Sequence, residues 1–224
     1  MIVLDAVEFE TAPSPQFSVI WLHGLGADGH DFEPIVPELV RKHWPAIRFI
    51  FPHAPKRAVT VNGGMRMRAW YDIAGRELAD KQDEAGVRAS MEQINTLLDR
   101  ETERGTPPQR QFLIGFSQGG AIALSSLLRR QQPLAGVVAL SSYLPIAEKA
   151  LAEATTVSKS IPLFIGHGSM DQVVPMTLGT MSRDWLQSTG YTVQWHSYPM
   201  QHSVCAEEIR DIADFMQPIL LAQP

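Results

Sequence analysis

The chain has one cysteine, Cys205, in 224 residues, so no internal disulfide can form and folding needs no oxidising compartment. It also has little positive charge to spare: 19 Lys and Arg against 24 Asp and Glu leave a formal net charge of -5. A nucleic-acid partner would favour a basic stripe or patch, so none is expected. No run approaches the roughly 18 uninterrupted apolar residues that mark a membrane span. The opening stretch MIVLDAVEFETAPSPQ sets acidic residues among apolar ones and has neither a basic n-region nor a long apolar h-region, so it does not read as a secretory signal. A cytoplasmic protein is the expectation. His23, His30, His43, His53, His167 and His196 form no H-x-x-x-H pair, and there is no Cys/His cluster, so neither a metal site nor a cofactor is expected. Internal repeats and low-complexity tracts are missing too. The sequence leaves a homodimer open.

What the chain does have is apolar content, 45% of its residues, enough for one continuous core in a single domain over 1–224. Short apolar runs rich in β-branched and aromatic residues predict buried strands at Phe17 to Leu22, Ile47 to Phe51, Phe112 to Gly115, Gly136 to Leu140 and Ile161 to Ile165. The alternating run Tyr191 to Tyr198 predicts a last strand. Between them lie helical patterns. Val87, Met91, Ile94, Leu97 and Leu98 repeat at helical spacing from about Asp83 to Glu103, with Gly105 and Pro107 as stop signals. Further helices are predicted after Gly119, around Met176 to Thr189, and from Ser203 to about Met216. Strands alternating with helices imply an α/β fold with a mostly parallel sheet covered on both faces. The stretch from about Pro52 to Gly75 is too long for a plain connection and is a candidate functional loop. Only about twenty residues separate Ser141 from Ile161, too few for a large cap domain.

The chemistry concentrates in three places. QFLIGFSQGGAIALSSLL reads as a buried strand, then Gly115-Phe116-Ser117-Gln118-Gly119, then a helix: the G-x-S-x-G elbow in its strand-turn-helix context. Glycines are needed because side chains two positions either side of the serine would collide with neighbouring backbone. The serine then points toward a helix N-terminus, whose free N–H groups suit a developing oxyanion. A serine hydroxyl needs a base, usually a histidine oriented by a carboxylate, and hydrolases order these as Ser, acid, His. Asp171 follows a strand in Gly166-His167-Gly168-Ser169-Met170-Asp171, and His202 follows the last strand in Pro199-Met200-Gln201-His202-Ser203. Asp171 alone could cap the next helix, and a lone loop histidine is usually a surface residue. Their occurrence in order with the elbow makes Ser117, Asp171 and His202 the expected triad. His167 is the nearest rival base, but it lies in the acid's own loop. Cys205 reads as a buried small residue.

The second oxyanion donor belongs in a loop after an early strand, where Trp21-Leu22-His23-Gly24-Leu25-Gly26 falls. The backbone N–H groups of Leu25 and Gln118 are the expected donors. The same segment spells Gly24-x-Gly26-x-x-Gly29, a dinucleotide fingerprint. That reading fails because the next strand, Ile47 to Phe51, ends in Pro52-His53 with no carboxylate for a ribose.

With these residues in hand, the chain resembles the phospholipase/carboxylesterase family, which includes bacterial carboxylesterases and acyl-protein thioesterases. HGLGADGHDF, FPHAPKRAVTVNGG, AWYDI, GFSQGG, HGSMDQVVP and the histidine in YPMQHSV fall in the family's order over nearly the whole chain. The resemblance implies an α/β-hydrolase fold, no cofactor, hydrolysis of carboxylic esters and in some members of protein thioesters, and the triad already placed. Met65-Arg66-Met67-Arg68 departs from the family's more apolar pattern. A small-molecule ester or an acylated thiol is the expected substrate. Met65, Trp70 and Leu144 are candidate substrate-binding walls of an open site suited to short or medium acyl chains.

Overall fold

The computed structural model describes residues 4–75 and 82–222. A seven-stranded sheet forms its centre, in the spatial order β1-β3-β2-β6-β7-β8-β9. Its strands are β1 (Ala6–Glu10), β2 (Phe17–Leu22), β3 (Ile47–Pro52), β6 (Gln111–Phe116), β7 (Gly136–Leu140), β8 (Leu163–Gly168) and β9 (Val193–Tyr198). All neighbours run parallel except β1, which pairs antiparallel with β3. The α/β architecture with a mostly parallel sheet is therefore as the sequence implies.

The helices are α1 (Val36–Leu39), α2 (Glu84–Glu103), α3 (Gln118–Leu128), α4 (Ala147–Ala152), α5 (Met176–Ser188) and α6 (Ala206–Leu221). Strand alternation divides the core in two. Ile20 and Leu22 of β2 face a cluster with α2 and α3, while Val19 and Trp21 face one with Ile209, Ile212 and Met216 of α6. Strands buried on both faces favour apolar side chains on both, which is why β2 reads FSVIWL without alternation, the small Ser18 being its one polar residue.

Between β7 and β8 the chain makes only α4 and a short turn of 3-10 helix. The strand expected from Ile161 begins at Leu163, because Pro162 has no N–H to give the ladder, although its carbonyl accepts from Val137 at 2.9 Å. The stretch from Pro52 to Gly75 is not a plain loop. It folds into an antiparallel hairpin of β4 (Lys56–Val59) and β5 (Met65–Arg68), turned at Gly63 and Gly64 with φ of 65° and 78°. No helix among the described residues is long and apolar enough to cross a membrane.

Candidate active site

The elbow is built by close backbone approach. A Cβ on Gly115 would lie 2.3 Å from the Gly119 carbonyl oxygen, and one on Gly119 would lie 2.5 Å from that of Leu22. Only hydrogen fits at either position. Between them Ser117 takes φ 55° and ψ -119°, a conformation that costs an L residue energy and is held by its surroundings. The Ser117 N–H donates to Leu140 O at 2.8 Å, and the Ser142 hydroxyl donates to Ser117 O at 2.8 Å. The serine side chain is thereby presented at the C-terminal edge of the sheet, as open α/β folds present their sites.

Two loops from neighbouring strands converge on it. Ser117 Oγ lies 2.9 Å from His202 Nε2, and His202 Nδ1 lies 2.7 Å from Asp171 Oδ2. The other Asp171 oxygen accepts the N–H groups of Val173 and Val174, both at 2.9 Å. Since a carboxylate only accepts, Nδ1 carries the imidazole proton and Nε2 is free to accept from the serine. The Phe116 ring packs on His202 with centroids 4.7 Å apart, which fixes the imidazole plane. His167, the rival base, is buried, and its Nε2–H donates to Val174 O at 2.8 Å. Burial holds its pKa below the ordinary value, and among the described residues its Nδ1 has no partner. It is a neutral wall of the acid's loop.

The loop after β2 runs against the elbow: a Cβ on Gly24 would touch Phe116 Cδ1 at 3.3 Å and Ser117 Cβ at 3.5 Å. Among the described residues neither the Leu25 nor the Gln118 N–H is taken by a backbone carbonyl. The rejected dinucleotide reading also lacks its helix, since this segment continues as loop until a 3-10 turn at Glu33–Ile35 and the four-residue α1.

The three candidate walls fare differently. Trp70 is wholly buried, so it offers no surface to a substrate; the expectation is corrected to an internal role. Its indole N–H donates to His23 O at 2.9 Å and its backbone N–H to Gln118 Oε1 at 2.8 Å. Met65 is 64% exposed at the start of β5, while Met67 on the same strand face lies nearer the site, its Sδ 3.8 Å from where a Gly26 Cβ would sit. Leu144 is 3% exposed and lines a cavity of about 330 Å³ together with Tyr143, Ile146, Leu178 and Trp185. Arg66 and Arg68, the departures in the hairpin, donate to the carbonyls of Lys56 and Ala54 at 3.0 and 2.9 Å.

Sequence reasoning missed the interior of the site. Gln118 is more than a candidate backbone N–H donor: its side chain donates to Tyr71 O at 2.7 Å, and the Tyr71 and Tyr143 hydroxyls meet at 2.9 Å. His23 groups in the sequence with the other histidines that form no metal site. Its Nδ1 lies 2.7 Å from Gly24 O, and its Nε2 accepts the Ala54 N–H at 3.1 Å. Adjacency to the hole loop was the one signal that could have singled it out.

Comparison with known proteins agrees with this geometry. The phospholipase/carboxylesterase family profile matches residues 6–220. The acyl-protein thioesterase 1 of Neurospora crassa is 41% identical over 208 residues, covering 89% of this chain and 85% of its own. That of Yarrowia lipolytica is 36% identical over 219 residues, covering 95% and 96%. Among solved structures, Arabidopsis thaliana SOBER1 superposes with a TM-score of 0.86 at 29% identity over 91% of this chain and 99% of its own. Zea mays acyl-protein thioesterase 2 gives 0.81 at 28% identity over 96% and 100%. With a profile spanning almost the full length and relatives above one-third identity, this chain belongs to the phospholipase/carboxylesterase family of α/β hydrolases.

Proposed function

We propose that the protein is a serine carboxylesterase that hydrolyses carboxylic esters of short to medium acyl chains through an acyl-enzyme. The Ser117 oxygen attacks the acyl carbonyl while His202 Nε2 takes its proton, and Asp171 holds the imidazole in the required tautomer and stabilises the imidazolium. The carbonyl electrons move onto its oxygen, which the Leu25 and Gln118 N–H groups receive. Collapse of the tetrahedral intermediate expels the alcohol or thiol, protonated by His202. Water then attacks the acyl-serine by the same route and frees the acid. The observation that carries this reading is the 2.9 Å separation of Ser117 Oγ and His202 Nε2, with Asp171 behind the ring.

A second reading, an acyl-protein thioesterase, is favoured by the names of the 41% and 36% identical relatives. A lysophospholipase is the third of the same class. A non-catalytic binding module has against it the close, ordered triad. The single cysteine, which leaves no internal disulfide to form, is in keeping with a cytoplasmic place of action. Replacement Ser117→Ala and labelling with a fluorophosphonate probe test the reading: turnover of a butyrate ester falls by several orders of magnitude, and labelling is lost. Near-normal turnover in that variant overturns it. Rates on acyl-cysteine peptides against small esters of the same acyl group separate thioesterase from esterase.

A further inference from the structure

A peptide unit is rigid and planar, so its C=O and N–H point in opposite directions. The carbonyl of Gly24 and the N–H of Leu25 belong to one such unit. Whatever fixes the first therefore aims the second. His23 Nδ1 sits 2.7 Å from Gly24 O and must donate there, because a carbonyl only accepts. The ring's other nitrogen accepts the Ala54 N–H at 3.1 Å, so it carries no proton. Both nitrogens are thus committed, and the tautomer is set by two backbone groups on different segments.

The ring itself is held. It is buried against Trp70, with centroids 5.3 Å apart, and the Trp70 indole donates to the His23 carbonyl. The Trp70 backbone N–H in turn rests on the Gln118 side chain. A continuous chain of hydrogen bonds runs from Gln118 through Trp70 and His23 to the Gly24–Leu25 peptide, joining the residues that supply the two proposed hole donors. Farther along the loop, Gly26 N–H donates to Arg68 O at 2.9 Å and Gly29 N–H to His53 Nδ1 at 3.0 Å. These bonds hold the rest of the loop but do not set the Gly24–Leu25 plane; the Ala27 N–H also reaches the Gly24 carbonyl, at 3.3 Å, a longer contact than the 2.7 Å of the His23 ring.

We infer that His23 is a positioning residue for the oxyanion hole, aiming the Leu25 N–H at the developing oxyanion by pinning the carbonyl of the same peptide. The inference rests on the proposed assignment of Leu25 as a donor. The role requires a neutral imidazole, since a proton on Nε2 would confront the Ala54 N–H. Burial supplies this by lowering the His23 pKa to about 4, despite the opposing hydrogen bond to Gly24.

The test uses a double-mutant cycle on the intact enzyme. His23→Phe keeps a ring and loses both hydrogen bonds. His23→Asn keeps a donor where Nδ1 stood. Exchange of the Leu25 amide for an ester, by incorporation of the α-hydroxy acid, replaces the N–H with an oxygen and makes the Gly24 carbonyl a weaker acceptor. Loss of one hole donor typically costs roughly a hundredfold. His23→Phe is expected to lower kcat by about that factor with KM little changed, and His23→Asn to recover most of it. In the Leu25 ester background, His23→Phe is expected to cost nothing further. A full second loss in that background overturns the positioning role while leaving Leu25 as a donor. An ester variant with wild-type turnover removes the Leu25 assignment and this inference with it. Nitrogen NMR of labelled histidine in the wild-type protein tests the tautomer without a variant. A ring protonated at Nδ1 and unchanged from about pH 5 to about pH 8 supports the role, and protonation at Nε2 overturns it.

Discussion

Asp171 meets the His202 imidazole through one carboxylate oxygen only, at 2.7 Å, because its other oxygen is taken by the Val173 and Val174 N–H groups at 2.9 Å each. Two donors pointing at Oδ1 demand an acceptor there. In Asp171→Asn the amide carbonyl must occupy that position, which leaves the NH₂ facing His202 Nδ1. The ring then has to accept at Nδ1 and carry its proton on Nε2, where it can no longer receive one from Ser117. The expected outcome is a fall in kcat of about 10⁴ with little change in melting temperature, as measured by ester turnover and thermal unfolding. Activity within tenfold of wild type would mean that the acid's role lies elsewhere.

The glycines of the elbow differ from those of the surface in what a methyl group would meet. A Cβ on Gly119 would lie 2.5 and 2.7 Å from the carbonyl oxygens of Leu22 and His23, which are backbone and cannot swing away. Gly119→Ala is expected to cost about 1–3 kcal/mol and to disable turnover, because the β2 edge that carries the hole loop is pushed aside. At Gly75 nothing lies within 4 Å. Gly75→Ala should be neutral or stabilise by up to about 1 kcal/mol, through the unfolded chain. Denaturant midpoints of the two variants check the contrast.

How much of this was legible in the sequence depends on how local the cause is. The strands β2 and β7 could be bounded to the residue because both faces are buried, so the apolar run and the strand coincide. β1 was missed because it is an edge strand: Ala-Val-Glu-Phe-Glu exposes its last three residues and pairs antiparallel with β3, so no buried run marks it. The triad was readable because each member sits at a strand end with its own motif. The wall residues were not, because apolar type alone cannot tell a lining side chain from a packed one. Trp70 shows the difficulty: its indole turns inward to His23 O, a contact 47 positions away in the chain. His23 escaped notice for the same reason, since its value depends on Ala54, which a distant loop brings to it.

Glu208 is fully buried in the first turn of α6, and among the described residues neither of its carboxylate oxygens has a partner. A Cβ on Gly166 of β8 would fall 2.2 Å from Oε1, so the carboxyl occupies space that only a glycine leaves free. Burial first, and the charge of Asp211 second, push its pKa to about 8. The folded protein therefore binds a proton that the unfolded chain releases near the ordinary carboxylate value. This group's contribution is intact in acid and is lost as pH rises from about 4.5 to about 8, so stability falls across that window. Glu208→Gln should remove the slope, leaving acid stability near wild type and raising alkaline stability by a few kcal/mol. Denaturant unfolding of both proteins at several pH values checks this; parallel curves would show that the carboxyl is ionised in the fold.

Glu101 presents the opposite case, a buried carboxylate that is fully engaged. Its side chain has no exposure, and it accepts from Arg48 Nη1 at 2.9 Å and Arg104 Nη1 at 2.8 Å. Arg48 in turn donates from Nε to Glu10 Oε1 at 2.8 Å, so one cluster ties β1, β3 and α2 together. Arg48 lies near the N-terminal end of β3, whereas Ser117, Asp171 and His202 follow the C-terminal ends of their strands. Removing Glu101 takes one of the two carboxylate partners from a largely buried Arg48 guanidinium and leaves it only Glu10, which costs more than the Arg48–Glu101 pair itself is worth. Glu101→Leu is accordingly expected to destabilise by about 3–5 kcal/mol with kcat unchanged, and the added change Arg48→Met to restore much of the loss. The sign of that second step is the decisive measurement. If the double variant is less stable than Glu101→Leu alone, the cluster stabilises through more than the pairing of its charges.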